Sequence, residues 1–211
     1  MLELSNWLTR HLRLLALGGV LLLAFLVYLP GLYGPFVFDD YVNIVQNTAL
    51  NLPHLSFHAL VDAAFSINAG PLMRPVSMVS FALNRYFFGI EPLSFKLVNL
   101  LIHLANGALM FMLLRRLLTA YRQLHAPTLL RERLEWLALL IGALWLVHPL
   151  NLTAVLYVVQ RETSLSALFM LAGLNLYVWA RQRQLDGRGT HWTWFPGTAL
   201  LGALAVLSKE S

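Results

Sequence analysis

The sequence predicts an all-α polytopic membrane protein, and three observations carry that class. Mean hydropathy is +0.65 and only 12% of the 211 residues are charged, far more apolar than a soluble domain of this size. Several runs approach the roughly 20 apolar residues that cross a bilayer core. The basic residues alternate in side. Arg10 and Arg13, the stretch Arg115 to Arg133, and Arg181, Arg183 and Arg188 fall on one face, while only Arg74, Arg85, Lys96, Arg161 and Lys209 fall on the other. That is the positive-inside pattern, with the N-terminus cytoplasmic. It assigns the net charge of +5 to orientation and excludes a nucleic-acid partner. With no cysteine, disulfides and thiolate chemistry are excluded too.

About five spans are expected, at 12–29, 97–114, 134–147, 152–180 and 194–207. The first is retained, because Leu29-Pro30-Gly31-Leu32-Tyr33 has no small-x-small cleavage site. An outer loop, 30–95, follows it. Phe57, Leu60, Val61, Ala64 and Phe65 are helically spaced, with His54, His58, Asp62 and Ser66 on the opposite stripe. Such a helix lies in the membrane plane. A second in-plane helix begins at Pro75, a residue suited to helix starts, and ends at Gly89. The third span stops at His148-Pro149, since the residue before proline avoids helical geometry. Trp7, Trp136, Trp179, Trp192 and Trp194 mark the cytoplasmic interface and Trp145 the outer one.

Asp39-Asp40, between aromatics and just beyond the first span, is the chief candidate site. Charge at membrane depth costs roughly 2.5–3.5 kcal/mol; the competing reading is a solvated Asp-Asp turn. Asn99, His103 and Asn106 share one face of the second span. They fit interhelical hydrogen bonding, with His103 near the level of the carboxylates. Arg161-Glu162, His148 and Lys209-Glu210 belong to the same outer face as the acids. Each alone reads as surface charge; together they converge on one side of the membrane.

The ordered set Phe38-Asp39-Asp40, Arg74-Pro75-Val76-Ser77, Lys96-Leu97-Val98-Asn99, Ile102-His103, His148-Pro149, Arg161-Glu162 and Ser208-Lys209-Glu210 resembles the N-terminal half of the tetratricopeptide-repeat membrane O-mannosyltransferases and their bacterial relatives, of the GT-C superfamily. The resemblance runs from about Leu12 to Ser211. Members of that family carry further spans and often helical repeats, so 1–211 looks like the N-terminal part of a longer module, truncated or split, with a second chain as one source of the missing helices.

The resemblance implies transfer of a sugar, mannose being the family's example, from a polyprenyl-phosphate donor to a hydroxyl of a protein or glycan, on the outer or lumenal face. The membrane would be the bacterial inner membrane or the endoplasmic reticulum. It makes Asp39 and Asp40 the catalytic acids. Asp39 is expected as the base and Asp40 as its orienting partner, although the order can be reversed. Arg74, Arg161 and Lys209 would neutralise the phosphate. His103 and Glu162 would hold the sugar or acceptor, and Asn99, His148 and Glu210 would position the others. A divalent cation on Asp39 and Asp40 and a metal-free reaction both fit. The alternative is a non-catalytic polytopic protein, a transporter half or assembly scaffold. A transporter would place ionisable groups near the midplane, and the spans hold no such carboxylate.

Overall fold

The computed structural model describes residues 2–67, 70–125, 128, 130–187, 192 and 194–210, with side chains from residue 11 onward. Those residues are mostly helical, with no strand among them. The long helices are α1 (Leu2–Tyr28), α4 (Pro92–His125), α5 (Arg131–Leu146), α7 (Arg161–Leu185) and α8 (Trp194–Ser208). Between them sit α2 (Phe57–Ala64), α3 (Pro75–Phe88) and the short α6 (Leu152–Leu156).

Three stretches are long and apolar enough to cross a membrane: His11–Tyr33, Pro92–His125 and Val158–Leu185. A fourth arises if α5 and the segment Pro149–Leu156, bent by 52° from it, count as one. The expected five spans therefore become three or four, plus α8. At 15 residues, α8 is about 22 Å long, short of the roughly 30 Å hydrocarbon core.

The largest departure lies in the fourth expected span. Instead of a continuous helix from Leu152, the chain breaks at Tyr157 (φ −96°, ψ 107°) and restarts through a 3-10 turn, Val158–Gln160, into α7. Neither proline nor glycine causes the break. In an uninterrupted helix Val158 N–H would donate to Ala154 and Val159 N–H to Val155. Side chains from elsewhere take those groups instead. Asp40 accepts from both amides (3.4 and 2.8 Å), Asn99 Nδ2 donates to the Val155 and Val158 carbonyls (3.3 and 3.2 Å), and Ser164 Oγ donates to that of Ala154 (3.2 Å).

α4 packs against α1, α5, α6 and α7, and α8 lies along α7 and reaches α3. The α4–α5 approach is close enough that a Cβ on Gly107 would come within 2.4 Å of the Leu146 side chain. The segment 30–95 is more than two shelf helices. Phe36, Ile44, Leu50, Ile67, Met78, Phe81 and Phe95 form a hydrophobic core of its own, which takes in Val158 of the break. α2 and α3 match their expected starts and ends: Ser56 caps α2 by accepting from Ala59 N–H, Pro75 opens α3 and Gly89 closes it with φ 71°. The apolar stripe of α2 is divided. Leu60 and Ala64 turn to the core, whereas Phe57, Val61 and Phe65 stay exposed at four-residue intervals.

Candidate active site

Asp39 and Asp40 are adjacent in sequence and opposite in environment. Asp40 is fully buried. Its carboxylate accepts from Val37 N–H (3.0 Å) within its own turn and from Val158 and Val159 at the helix break. Burial pushes its carboxyl above the ordinary aspartate value, against the opposing pull of these three amides and of Lys96. Lys96, also buried, donates to the carbonyls of Gly34 (2.8 Å) and Pro35 (3.0 Å). The loop that carries the acids is thus tied to α4 at one end and to the α6–α7 junction at the other.

Asp39 is exposed. Its backbone N–H donates to the Tyr157 hydroxyl at 3.2 Å. The residue before it, Phe38, has φ 46° and is 82% exposed, with its ring edge-on to Tyr157 at 6.1 Å. A bulky residue in the left-handed region is strained by roughly 1–2 kcal/mol. Met73 (φ 56°) and Arg74 (φ 50°) are the other non-glycine residues in that region among the described ones. Strain thus gathers on the two loops that carry predicted site residues.

Arg74 precedes α3 and donates from Nη1 to Glu162 Oε2 at 2.5 Å. Glu162 is buried at the start of α7, with its second carboxylate oxygen unpartnered among the described residues. Lys209 Nζ donates to Thr163 Oγ1 at 2.8 Å, and Glu210 accepts from Leu72 N–H. Glu210 occupies the space a Cβ on Gly70 would need, and Gly70 has φ 75°, so only glycine fits there. Arg74, Glu162, Lys209 and Glu210 therefore form one cluster at the first turn of α7. It begins three residues beyond the amide that Asp40 grips.

The remaining expected residues lie elsewhere. Arg161 was expected to meet phosphate, but it is enclosed and its guanidinium is fully used. Nε donates to Asn99 Oδ1 (2.7 Å), Nη1 to Ser80, and Nη2 to Asn84 Oδ1 (2.8 Å) and the Phe95 carbonyl (2.9 Å). It also lies 4.7 Å over the Phe81 ring. His103, expected to hold sugar, donates from Nε2 to the Leu146 carbonyl (2.8 Å) between Tyr28 and Trp145. Both residues join helices. Asn99 links Arg161 to the break, accepting from Arg161 Nε and donating to the Val155 and Val158 carbonyls. His148 is exposed and caps the turn Pro149–Asn151, accepting from Leu150 N–H (3.3 Å).

The two acids do not converge as a cation site. Asp40 faces inward onto amides while Asp39 faces out, and no group of three or more His, Asp or Glu side chains is placed to share a metal among the described residues. Tyr157 and Lys96 are the participants that the sequence reading did not single out. Lys96 stands one helical turn before Asn99, a spacing that already placed it on the same face.

Several curated proteins are similar to this chain. Protein O-mannosyl-transferase TMTC4 of Homo sapiens is 33% identical over 190 residues, which is 84% of this chain and 25% of that protein. Protein O-mannosyl-transferase Tmtc1 of Drosophila melanogaster is 31% identical over 210 residues, 95% of this chain and 22% of that protein. Protein O-mannosyl-transferase TMTC3 of Homo sapiens is 28% identical over 189 residues. No family model and no solved structure matches. The chain spans about a quarter of the length of the curated relatives it matches. Over that stretch it follows them almost from end to end of its own length, so along most of this chain it is similar to proteins named protein O-mannosyl-transferases.

Proposed function

We propose that this chain is part of a membrane glycosyltransferase that moves a hexose, mannose by analogy with its relatives' names, from a polyprenyl phosphate to a hydroxyl of a protein. The leaving group is already a stable phosphate anion, so the chemistry needs little help there. The acceptor hydroxyl does need a base. Asp39 removes its proton, the oxygen attacks the anomeric carbon, and the bond from that carbon to the phosphate oxygen breaks. Arg74 and Lys209 balance the charge that returns to the phosphate. Arg161, His103 and Asn99 hold the frame.

The observation that carries this reading is the division between the two acids. Asp40 spends its carboxylate on three backbone amides and leaves Asp39 presented to the outside.

Asp39→Asn keeps the size of the side chain and removes the base. Transfer from a radiolabelled polyprenyl-phosphate hexose to a serine-containing peptide is expected to fall at least about a thousandfold, within the range lost with a general base. Membrane insertion and thermal unfolding should stay unchanged. Turnover within tenfold of the unaltered protein would remove Asp39 from the role.

A further inference from the structure

The interruption between α6 and α7 has a chemical product: it swings one aromatic side chain out of the helical path and onto the acid loop. Had the helix continued, Tyr157 would sit mid-rod, its direction set by helical rotation. Instead Asp40, Asn99 and Ser164 occupy the backbone groups around it, and Tyr157 takes an extended conformation. Its hydroxyl then accepts the Asp39 N–H and its ring meets Phe38 edge-on. An accepting phenol still has its own proton to give.

We infer that Tyr157 is a positioning residue for Asp39, fixing the loop through the Asp39 amide and turning its own hydroxyl proton toward the Asp39 carboxylate. The inference rests on the reading of Asp39 as the base. Two features of the surroundings agree with it. Desolvation raises the Tyr157 phenol above its ordinary value, against the pull of the Asp39 amide and with help from the Asp39 and Asp40 carboxylates, so the hydroxyl keeps its proton at neutral pH. Phe38, next to Asp39, is held with positive φ and an exposed ring, a conformation costly enough to need a reason. The edge-on contact with Tyr157 supplies one: the strained turn and the phenol together restrict Asp39.

The inference adds a limit on what Tyr157 does. Its hydroxyl is committed to Asp39, so it should influence the rate of the proton-removing step and not the binding of either substrate.

The test is Tyr157→Phe in the full chain, which removes one oxygen and keeps the ring against Phe38. Transfer is measured with polyprenyl-phosphate mannose and a serine peptide. The expected result is a kcat reduced about tenfold to a hundredfold, KM for donor and acceptor within twofold, and an unchanged thermal transition. In an Asp39→Asn background the same substitution should have no further effect, because a positioning residue has nothing left to position. Four other outcomes overturn the inference: a normal kcat, a raised KM at normal kcat, a thermal transition lowered in step with the lost activity, or a full additional loss on top of Asp39→Asn. If Asp39→Asn itself transfers normally, the base assignment fails and takes this inference with it. If Asp39→Asn is inactive and Tyr157→Phe is normal, only the inference fails.

Discussion

The two ends of this helical bundle both bury charge, and they do so by opposite means. At the end carrying the acids, Arg161 is enclosed with no carboxylate among its hydrogen-bond partners; neutral oxygens from α3 and α4, with two aromatic rings, satisfy it. At the basic end, Glu135 is buried between Arg13 of α1 and Arg131 of its own helix, 62% exposed at its side chain. A cavity of about 740 Å³ opens beside it between α1, α4 and α5. An ion pair attracts over distance and tolerates displacement. A guanidinium held by carbonyl and amide oxygens has no such latitude, since each acceptor must stand within hydrogen-bond reach and angle. The hydrogen bonds at the first end fix geometry closely, whereas the ion pairs at the second join α1 to α5 with more latitude. That cavity is lined by residues of the basic end and not by the acids, whereas Asp39 stands exposed at the end that holds the hydrogen-bonded Arg161.

The comparison can be broken most forcefully at Arg161. Arg161→Met removes five donors and leaves Asn99, Asn84 and Ser80 facing an apolar chain. A loss of about 4 kcal/mol is expected, read as thermal unfolding in detergent. A transition within 2 °C of the original (an order-of-magnitude bound for a loss of under about 1 kcal/mol) would mean that these hydrogen bonds do not fix the geometry. Asp40→Asn should come next, at about 2 kcal/mol, because an amide cannot accept from three backbone N–H groups with both of its heteroatoms. The helix break should loosen, measured as faster amide hydrogen exchange at Val158 and Val159. Protection equal to the original would show that the break is not held by Asp40. The smallest effect belongs to the basic end. Glu135→Gln should cost about 1 kcal/mol, since Arg131 is well solvated and can turn to water. A loss larger than that of Arg161→Met would reverse the contrast between the ends.

The sequence is informative where structure is local. Hydropathy locates α1, α4 and the body of α7, while Pro75 and Gly89 bound α3 to the residue. Asp39-Asp40 stands out through charge at the edge of a span. What is illegible is the interruption at Tyr157: Val155-Leu156-Tyr157-Val158-Val159 holds no proline or glycine to mark it, and its valines only weakly disfavour a helix. It arises from Asp40 and Asn99, 118 and 56 residues away from the backbone groups they take. The same distance effect misleads for Arg161 and His103. Both look like site residues by their position along the chain, yet α3 and α4 set the surroundings of Arg161, and α1 and α5 those of His103. Glu162, one residue beyond Arg161, points the other way and does join the cluster.

The broken rod between α6 and α7 also bears on how such a protein matures. While the chain is being made, the acid loop and α4 emerge first and the Leu152–Leu185 stretch later. That stretch holds no proline to stop it winding on as one coil, and two of the groups that part it, Asp40 and Asn99, come from segments made earlier. Where Tyr157 meets the acid loop therefore depends on contacts the stretch cannot make with itself.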